Sequence, residues 1–173
     1  MIEKYQTLFF VKSSLISFYI ALTVPIPFIS SDQLKIPSFF CFILGLVLII
    51  NITNDYVETS EKKISYKTSF ISRAFGKRNW EICWEKIKSV KSFPTSQGSK
   101  VFYFVDEKGE SLQVPQRIEN FDIFLEKIKK KTKIKTERIS YISPLWTYKL
   151  LTLMSVLMVV GEICLFCIKY YQD

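Results

Sequence analysis

The sequence predicts an α+β membrane protein: three transmembrane helices plus a cytoplasmic antiparallel sheet of about six strands, capped by a C-terminal amphipathic helix. Three observations carry this expectation. Apolar residues come in three long blocks, the stretch between the second and third blocks alternates apolar with polar residues, and that stretch closes on a helical period. The 49% apolar content is ordinary for soluble domains, so the arrangement in blocks decides, not the total.

A span needs roughly 20 mostly apolar residues to cross about 30 Å of hydrocarbon, because a helix satisfies its own backbone polar groups there. Residues 13–31, 36–54 and 150–168 qualify, each nineteen residues long and bounded by charges. Pro25 and Pro27 free backbone carbonyls, so the first helix is expected to end near them, close to the headgroups. The short loop 30–35 then makes the first two helices an antiparallel hairpin. A cleaved signal peptide is the rival reading of the first block, but no A-x-A-like site follows and a second span comes at once.

Charge sets the expected orientation. Residues 55–149 hold 20 of the 24 basic residues and 12 of the 16 acidic ones, and so the entire net charge of +8. Positive charge resists translocation, which places the N-terminus and the middle of the chain in the cytoplasm. The expected organisation is a cytoplasmic N-terminus (1–12), a transmembrane hairpin (13–54), a cytoplasmic sheet domain (55–138), a juxtamembrane linker (139–148), a third transmembrane helix (149–169) and a short non-cytoplasmic tail (170–173).

Within the middle region, residues 63–70 read KISYKTSF, with Ile64, Tyr66, Thr68 and Phe70 on one face. Residues 55–59 form a shorter partner strand. Residues 79–84 point Trp80, Ile82 and Trp84 inward and Glu81 and Cys83 outward, and 89–93 is a weaker strand ended by Pro94. Residues 101–105 (VFYFV) and 110–114 flank an Asp106–Gly109 hairpin turn. VFYFV is apolar on both faces: either it is central and doubly covered, as such runs usually are, or it presents Phe102 and Phe104 to a partner. After Pro115, Phe121, Phe124, Leu125 and Ile128 form one helical stripe, with Asn120 as the N-cap.

The run WEICWEKIKSV, with Trp84, Ile87 and Val90 in a W-x-x-I-x-x-V element, resembles the bacterial pleckstrin-homology-like (PH-like) domains found beside membrane spans. This resemblance covers about 55–133 and implies a PH-like sheet domain. Gln97-Gly98, Tyr103-Phe104, Gly109, Pro115 and Arg117, followed by Pro144, Trp146 and a final span, resemble a family of cyanobacterial membrane proteins. Two spans leading into a basic sheet domain are also similar to the photosystem I assembly factor of cyanobacteria and chloroplasts, although this chain adds a third span. These resemblances imply a membrane-held, non-catalytic helper of photosynthetic complexes in the inner or thylakoid membrane.

The chain has no histidine, so zinc triads, Ser-His-Asp nucleophiles and imidazole bases are unavailable, and neither an enzyme nor a cofactor is expected. Cys164 and Cys167 have C-x-x-C spacing inside an apolar helix without further ligands, and read as small hydrophobes. Arg73, Lys77 and Arg78 surround Phe75, a pattern suited to a membrane-surface or protein contact, though an ordinary solvated turn has the same composition. Arg117, from the family-like run, joins these contact candidates. The basic cluster from Lys127 to Arg138, with Lys130 and Lys131 at its centre, suits both a helix C-terminus and anionic lipid. Glu162 is an ionisable group in hydrocarbon, seven residues from Lys169 and so about 10 Å along the axis. With Gly161 beside it and Gly45 in the second span, it marks either an intramembrane contact or an interfacial glutamate. Trp146, Tyr148, Tyr170 and Tyr171 bracket the third span as an aromatic belt.

The function expected from the sequence is a non-enzymatic scaffold or assembly factor whose partners are membrane lipids and subunits of a larger membrane complex. The alternative is a module that senses anionic lipid. Nucleic acid and a small-molecule substrate are not expected as partners, since orientation already accounts for the positive charge.

Overall fold

The computed structural model describes residues 2–172, with side chains described through residue 168. The chain divides into two compact units: Met1–Leu8 with Asn54–Pro144, and Phe9–Thr53 with Leu145–Asp173.

Among the described residues, the first unit is built from seven strands and two α-helices. Strands β1 (Glu3–Gln6), β2 (Tyr56–Thr59), β3 (Lys63–Lys67) and β4 (Trp80–Cys83) form an antiparallel sheet in that order. Helix α4 (Phe70–Ala74), the fourth helix in chain order, lies between β3 and β4. A second antiparallel sheet contains β5 (Ile87–Pro94), β6 (Lys100–Asp106) and β7 (Ser111–Gln113), and α5 (Phe121–Thr132) follows it. Register across the first sheet sets Tyr5 opposite Val57, Val57 opposite Tyr66, and Ile64 opposite Ile82, so one face collects apolar side chains. That face joins Phe102, Phe104 and the α5 stripe of Phe121, Phe124, Leu125 and Ile128 in one core.

Several expectations are corrected. The N-terminal residues are not merely a flank of the first span, because Glu3–Gln6 completes the sheet and buries Tyr5 against Phe124 at 5.4 Å between ring centroids. Nor is the stretch from residue 139 only a linker: Ile139 is core and Tyr141 packs on Phe121. Strand β3 stops short of Phe70. The Asn79 side-chain oxygen accepts from Thr68 N and Thr68 Oγ1 at 2.7 and 2.8 Å, and the Ser69 hydroxyl caps Ser72 N at 3.1 Å. This local capping offers the backbone a helical turn in place of more ladder, and Phe70 ends 77% exposed. Trp84 turns inward from a 3₁₀ turn (Trp84–Lys86), its indole donating to Ser60 O at 2.9 Å.

The doubly covered reading of VFYFV is corrected: Phe102 and Phe104 are core, whereas Val101 and Tyr103 on the other face are half-buried, and on that face Val105 alone is buried at the strand's end. Asp106 Oδ1 accepts from Lys108 N and Glu110 N at 2.8 Å each, and Gly109 takes a φ of +82°, which an L side chain rarely adopts. Asn120 precedes α5 but gives no side-chain cap. Its backbone is left-handed (φ +52°), a conformation asparagine tolerates, and its carbonyl accepts from Phe124 N at 3.1 Å.

The second unit is helical: α1 (Phe9–Thr23), α2 (Pro25–Ile29), α3 (Asp32–Ile52) and α6 (Leu145–Gln172). Among the described residues, three segments are long and apolar enough to cross a membrane: Phe9–Ile29, Asp32–Ile52 and Leu145–Ile168. All three begin earlier than expected, because Lys12, Lys35 and Lys149 are accommodated inside helices. The regular helix stops at Thr23, and Pro25 starts α2, where its missing N–H costs little. Ser14, Ala21 and Ser155 are almost fully buried where α1 meets α6, small residues that permit close approach. Helix α3 has no buried residue. Of the expected aromatic belt, Trp146 is 62% exposed, while the side chains of Tyr170 and Tyr171 lie outside the described residues.

Candidate functional site

The sheet unit holds a cleft of about 730 Å³ between the turn leading into β4 and the segment that joins β7 to α5. Its charged lining comes from four residues, Asp55, Lys77, Arg78 and Arg117, with Tyr66 and Trp80 beside them. Asp55 organises one wall. Only 5% exposed, its carboxylate accepts from the Tyr66 hydroxyl at 3.1 Å, Ser69 N at 3.0 Å and Lys77 Nζ at 2.6 Å. Its backbone carbonyl accepts from Thr7 Oγ1 at 2.8 Å, so one residue ties together the end of β1, the start of β2, β3 and the α4 cap. Burial, reinforced by the Asp55 charge, pushes the Tyr66 phenol well above its ordinary range, and Arg117 opposes this. Tyr66 therefore stays a neutral donor.

The opposite wall is fixed through Gln116, which is 4% exposed. Its amide donates to Lys100 O at 3.0 Å and Ser140 O at 2.7 Å, and its oxygen accepts from Phe102 N at 3.3 Å. Arg117 O accepts from Leu8 N at 2.9 Å, and Thr7 bridges to Ile118. The backbone beside Arg117 is thereby held from both sides.

Of the candidate contact residues, Lys77, Arg78 and Arg117 come together at this cleft although 117 is remote from the others in sequence. Arg73 and Phe75 stand outside it. Arg73 lies 5.9 Å from the Phe70 ring centroid, and Phe70 and Phe75 are exposed aromatics. Phe102 and Phe104 are 3% and 0% exposed and are corrected from contact candidates to core, since their ring surface is already spent on packing.

The basic cluster is less free than its composition implies. Lys127 pairs with Glu3 at 3.0 Å, Lys129 with Glu137 at 3.0 Å and Lys131 with Glu61 at 2.6 Å. Lys130 is exposed and makes no ion pair among the described residues. In the helical unit, the Tyr19 hydroxyl donates to Phe42 O at 2.9 Å, and its ring occupies the space a side chain on Gly45 would need. Gly161 has no neighbour that an added Cβ would meet, and Glu162 Oε2 has no hydrogen-bond partner among the described residues. Sequence reasoning missed Asp55, which reads there as the charge that stops a span. Its partners at 66, 69 and 77 follow no short motif.

The paired carboxylates predict acid lability. Lys131, Lys63, Lys88 and Lys129 hold Glu61, Glu81, Glu107 and Glu137, respectively, below the ordinary carboxylate range, and the Tyr5 hydroxyl followed by Lys127 does the same for Glu3. A lowered folded-state value contributes stability that is present above the unfolded value and lost as pH falls through the folded one. Thermal midpoints of the micelle-embedded chain should therefore fall as pH drops from neutral through the carboxylate range, and high salt should shrink that slope. Midpoints that stay level across this range would remove the pairs as stabilising elements. Tyr5, pushed up to about 12 by burial and by its bond to Glu3, remains neutral throughout.

No family model matches the chain. It is 27% identical over 156 residues to the uncharacterized protein slr0269 of Synechocystis sp., an alignment covering 86% of this chain and 77% of that protein. The relative is cyanobacterial, the group to which the run from Gln97 to Trp146 points, and its name assigns no activity.

Proposed function

We propose that this chain is a non-enzymatic membrane scaffold or assembly factor that presents a PH-like domain at the cytoplasmic membrane surface to subunits of a larger complex, of the photosynthetic kind. The observation that carries the membrane part is α3: twenty-one residues, apolar on every side beyond a charged first turn of Asp32 to Lys35, with no buried residue. A helix of that kind is stable only where its surroundings are apolar. The four-plus-three antiparallel strands followed by α5 support the PH-like reading. The concentration of basic residues in residues 55–149 supports a cytoplasmic sheet unit.

A partner subunit is supported by α6. Glu162 Oε2 lacks a hydrogen-bond partner among the described residues, and neighbouring Gly161 leaves its side of the helix open. An unpaired carboxyl in hydrocarbon is costly, and a donor on a neighbouring helix relieves that cost. Affinity capture of the tagged chain from its own membranes in mild detergent should enrich membrane subunits. Glu162→Leu, which keeps the span apolar, should reduce that enrichment several-fold. Recovery of the chain alone would overturn the scaffold reading.

A further inference from the structure

We propose that the cleft between the α4–β4 turn and the β7–α5 segment is a binding site for a phosphate-bearing anion. This goes beyond the scaffold reading and does not rest on it. Four charged side chains line the cleft, and their pairing is uneven. Lys77 is neutralised by Asp55 at 2.6 Å, whereas Arg78 and Arg117 make no ion pair among the described residues. Two exposed arginines therefore line one concavity with no carboxylate paired to either among the described residues.

Both side chains are exposed, so water screens their mutual repulsion and the free cleft tolerates the two charges. The fold holds both arginines in place. Lys77 N donates to Ser72 O at 3.0 Å, and the Asn79 side chain is committed to Thr68, so the backbone on either side of Arg78 is anchored. Gln116 and the Leu8 N–H anchor the backbone at Arg117. The cations are presented from fixed backbone, which lowers the ordering cost of binding.

The charge and geometry select the ligand class. A carboxylate offers two oxygens, enough for one guanidinium fork, whereas a phosphate offers more acceptors and carries up to about two charges at neutral pH. Two arginines with a neutral phenol nearby match the second. Trp80, Leu112 and Ile142 supply apolar lining for carbon attached to the phosphate. The basic run on α5 is a poorer candidate, since Lys127, Lys129 and Lys131 are already paired with carboxylates.

A lipid headgroup and a free phosphate share this chemistry. Thr7, Asp55 and Ile142 line the cleft and are two or three residues along the chain from the ends of membrane-length helices, so both sources enter the test. The full chain is placed in phosphatidylcholine nanodiscs. One arm measures binding of radiolabelled inorganic phosphate by equilibrium dialysis. The other adds phosphatidylglycerol and reads lipid retained per chain by native mass spectrometry.

Saturable binding at about one ligand per chain is expected in at least one arm, and the responding arm identifies the source. Arg78→Gln with Arg117→Gln should weaken it about tenfold or more, as expected for losing charge-assisted bonds. Arg78→Lys should retain only part of the affinity, because the charge stays and the fork is lost. Lys130→Gln should leave binding unchanged. Absence of saturable binding in both arms overturns the site, as does equal binding by a double variant whose circular dichroism matches the parent. If the double variant does not fold, the Arg78→Lys and Lys130→Gln pair decides: equal loss in both overturns the proposal.

Discussion

Replacing Phe104 with alanine is expected to destabilise the sheet unit by about 3–5 kcal/mol, the largest single-residue effect outside the helices. Phe104 is fully enclosed on β6, the central strand of its sheet, opposite Val90 on one side and Leu112 on the other. Its ring meets Trp80 edge-on at 6.1 Å between centroids, so truncation opens a cavity between the two sheets. Neighbours belonging to paired strands cannot collapse freely into that space, which puts the cost at the upper end of the transfer term plus the cavity term. Denaturant unfolding of the full chain in micelles, followed by tryptophan fluorescence, measures it. A loss below about 1 kcal/mol would contradict the core assignment and return Phe104 to the role of a surface contact.

Replacing Asp55 with alanine should cost about 2–4 kcal/mol, although the residue belongs to no apolar core. The carboxylate is 5% exposed and accepts three hydrogen bonds, so its removal strands Ser69 N and the Tyr66 hydroxyl in a poorly hydrated place. The Lys77 pair contributes less than its 2.6 Å length suggests, because the lysine side chain is 46% exposed and water screens it. Asp55→Asn should therefore recover part of the loss, since an amide oxygen still accepts from the backbone. The same unfolding experiment compares the two. Equal stability of Asp55→Ala and the parent would show that the contacts around α4 form without this residue. A gain of phosphate-site affinity in Asp55→Asn without loss of stability would instead report the changed charge balance in the cleft, since Lys77 is then released from its carboxylate.

These two residues differ in how far the sequence announces them. Phe104 lies in VFYFV, an uninterrupted apolar run that implies burial, although its Phe102–Phe104 face is covered more completely than the face of Val101 and Tyr103. Asp55 has no local signature. Its importance comes from four contacts that close only when β1, β2, β3 and α4 are assembled. Strand β1 was illegible for a related reason: Glu-Lys-Tyr-Gln contributes one buried side chain, Tyr5, too little for an alternating pattern. At α4, serine and asparagine side chains diverted a strand-like run into a helical turn, a competition that periodicity does not register.

The sequence by itself determined the elements whose physics is local. These are three segments of membrane length, the alternating strands, the Asp106–Gly109 turn and the apolar stripe of α5. Each follows from residue spacing along a short stretch of chain. Tertiary structure alone decided which charges are spent and which remain. Lys127, Lys129 and Lys131 read as a free cationic patch and are paired, whereas Arg78 and Arg117, separated by four strands' worth of chain, share one cleft whose carboxylate, Asp55, is already paired with Lys77. The physical reason is that a Coulomb interaction depends on distance in space and on the surrounding dielectric, and neither quantity is set by distance along the chain.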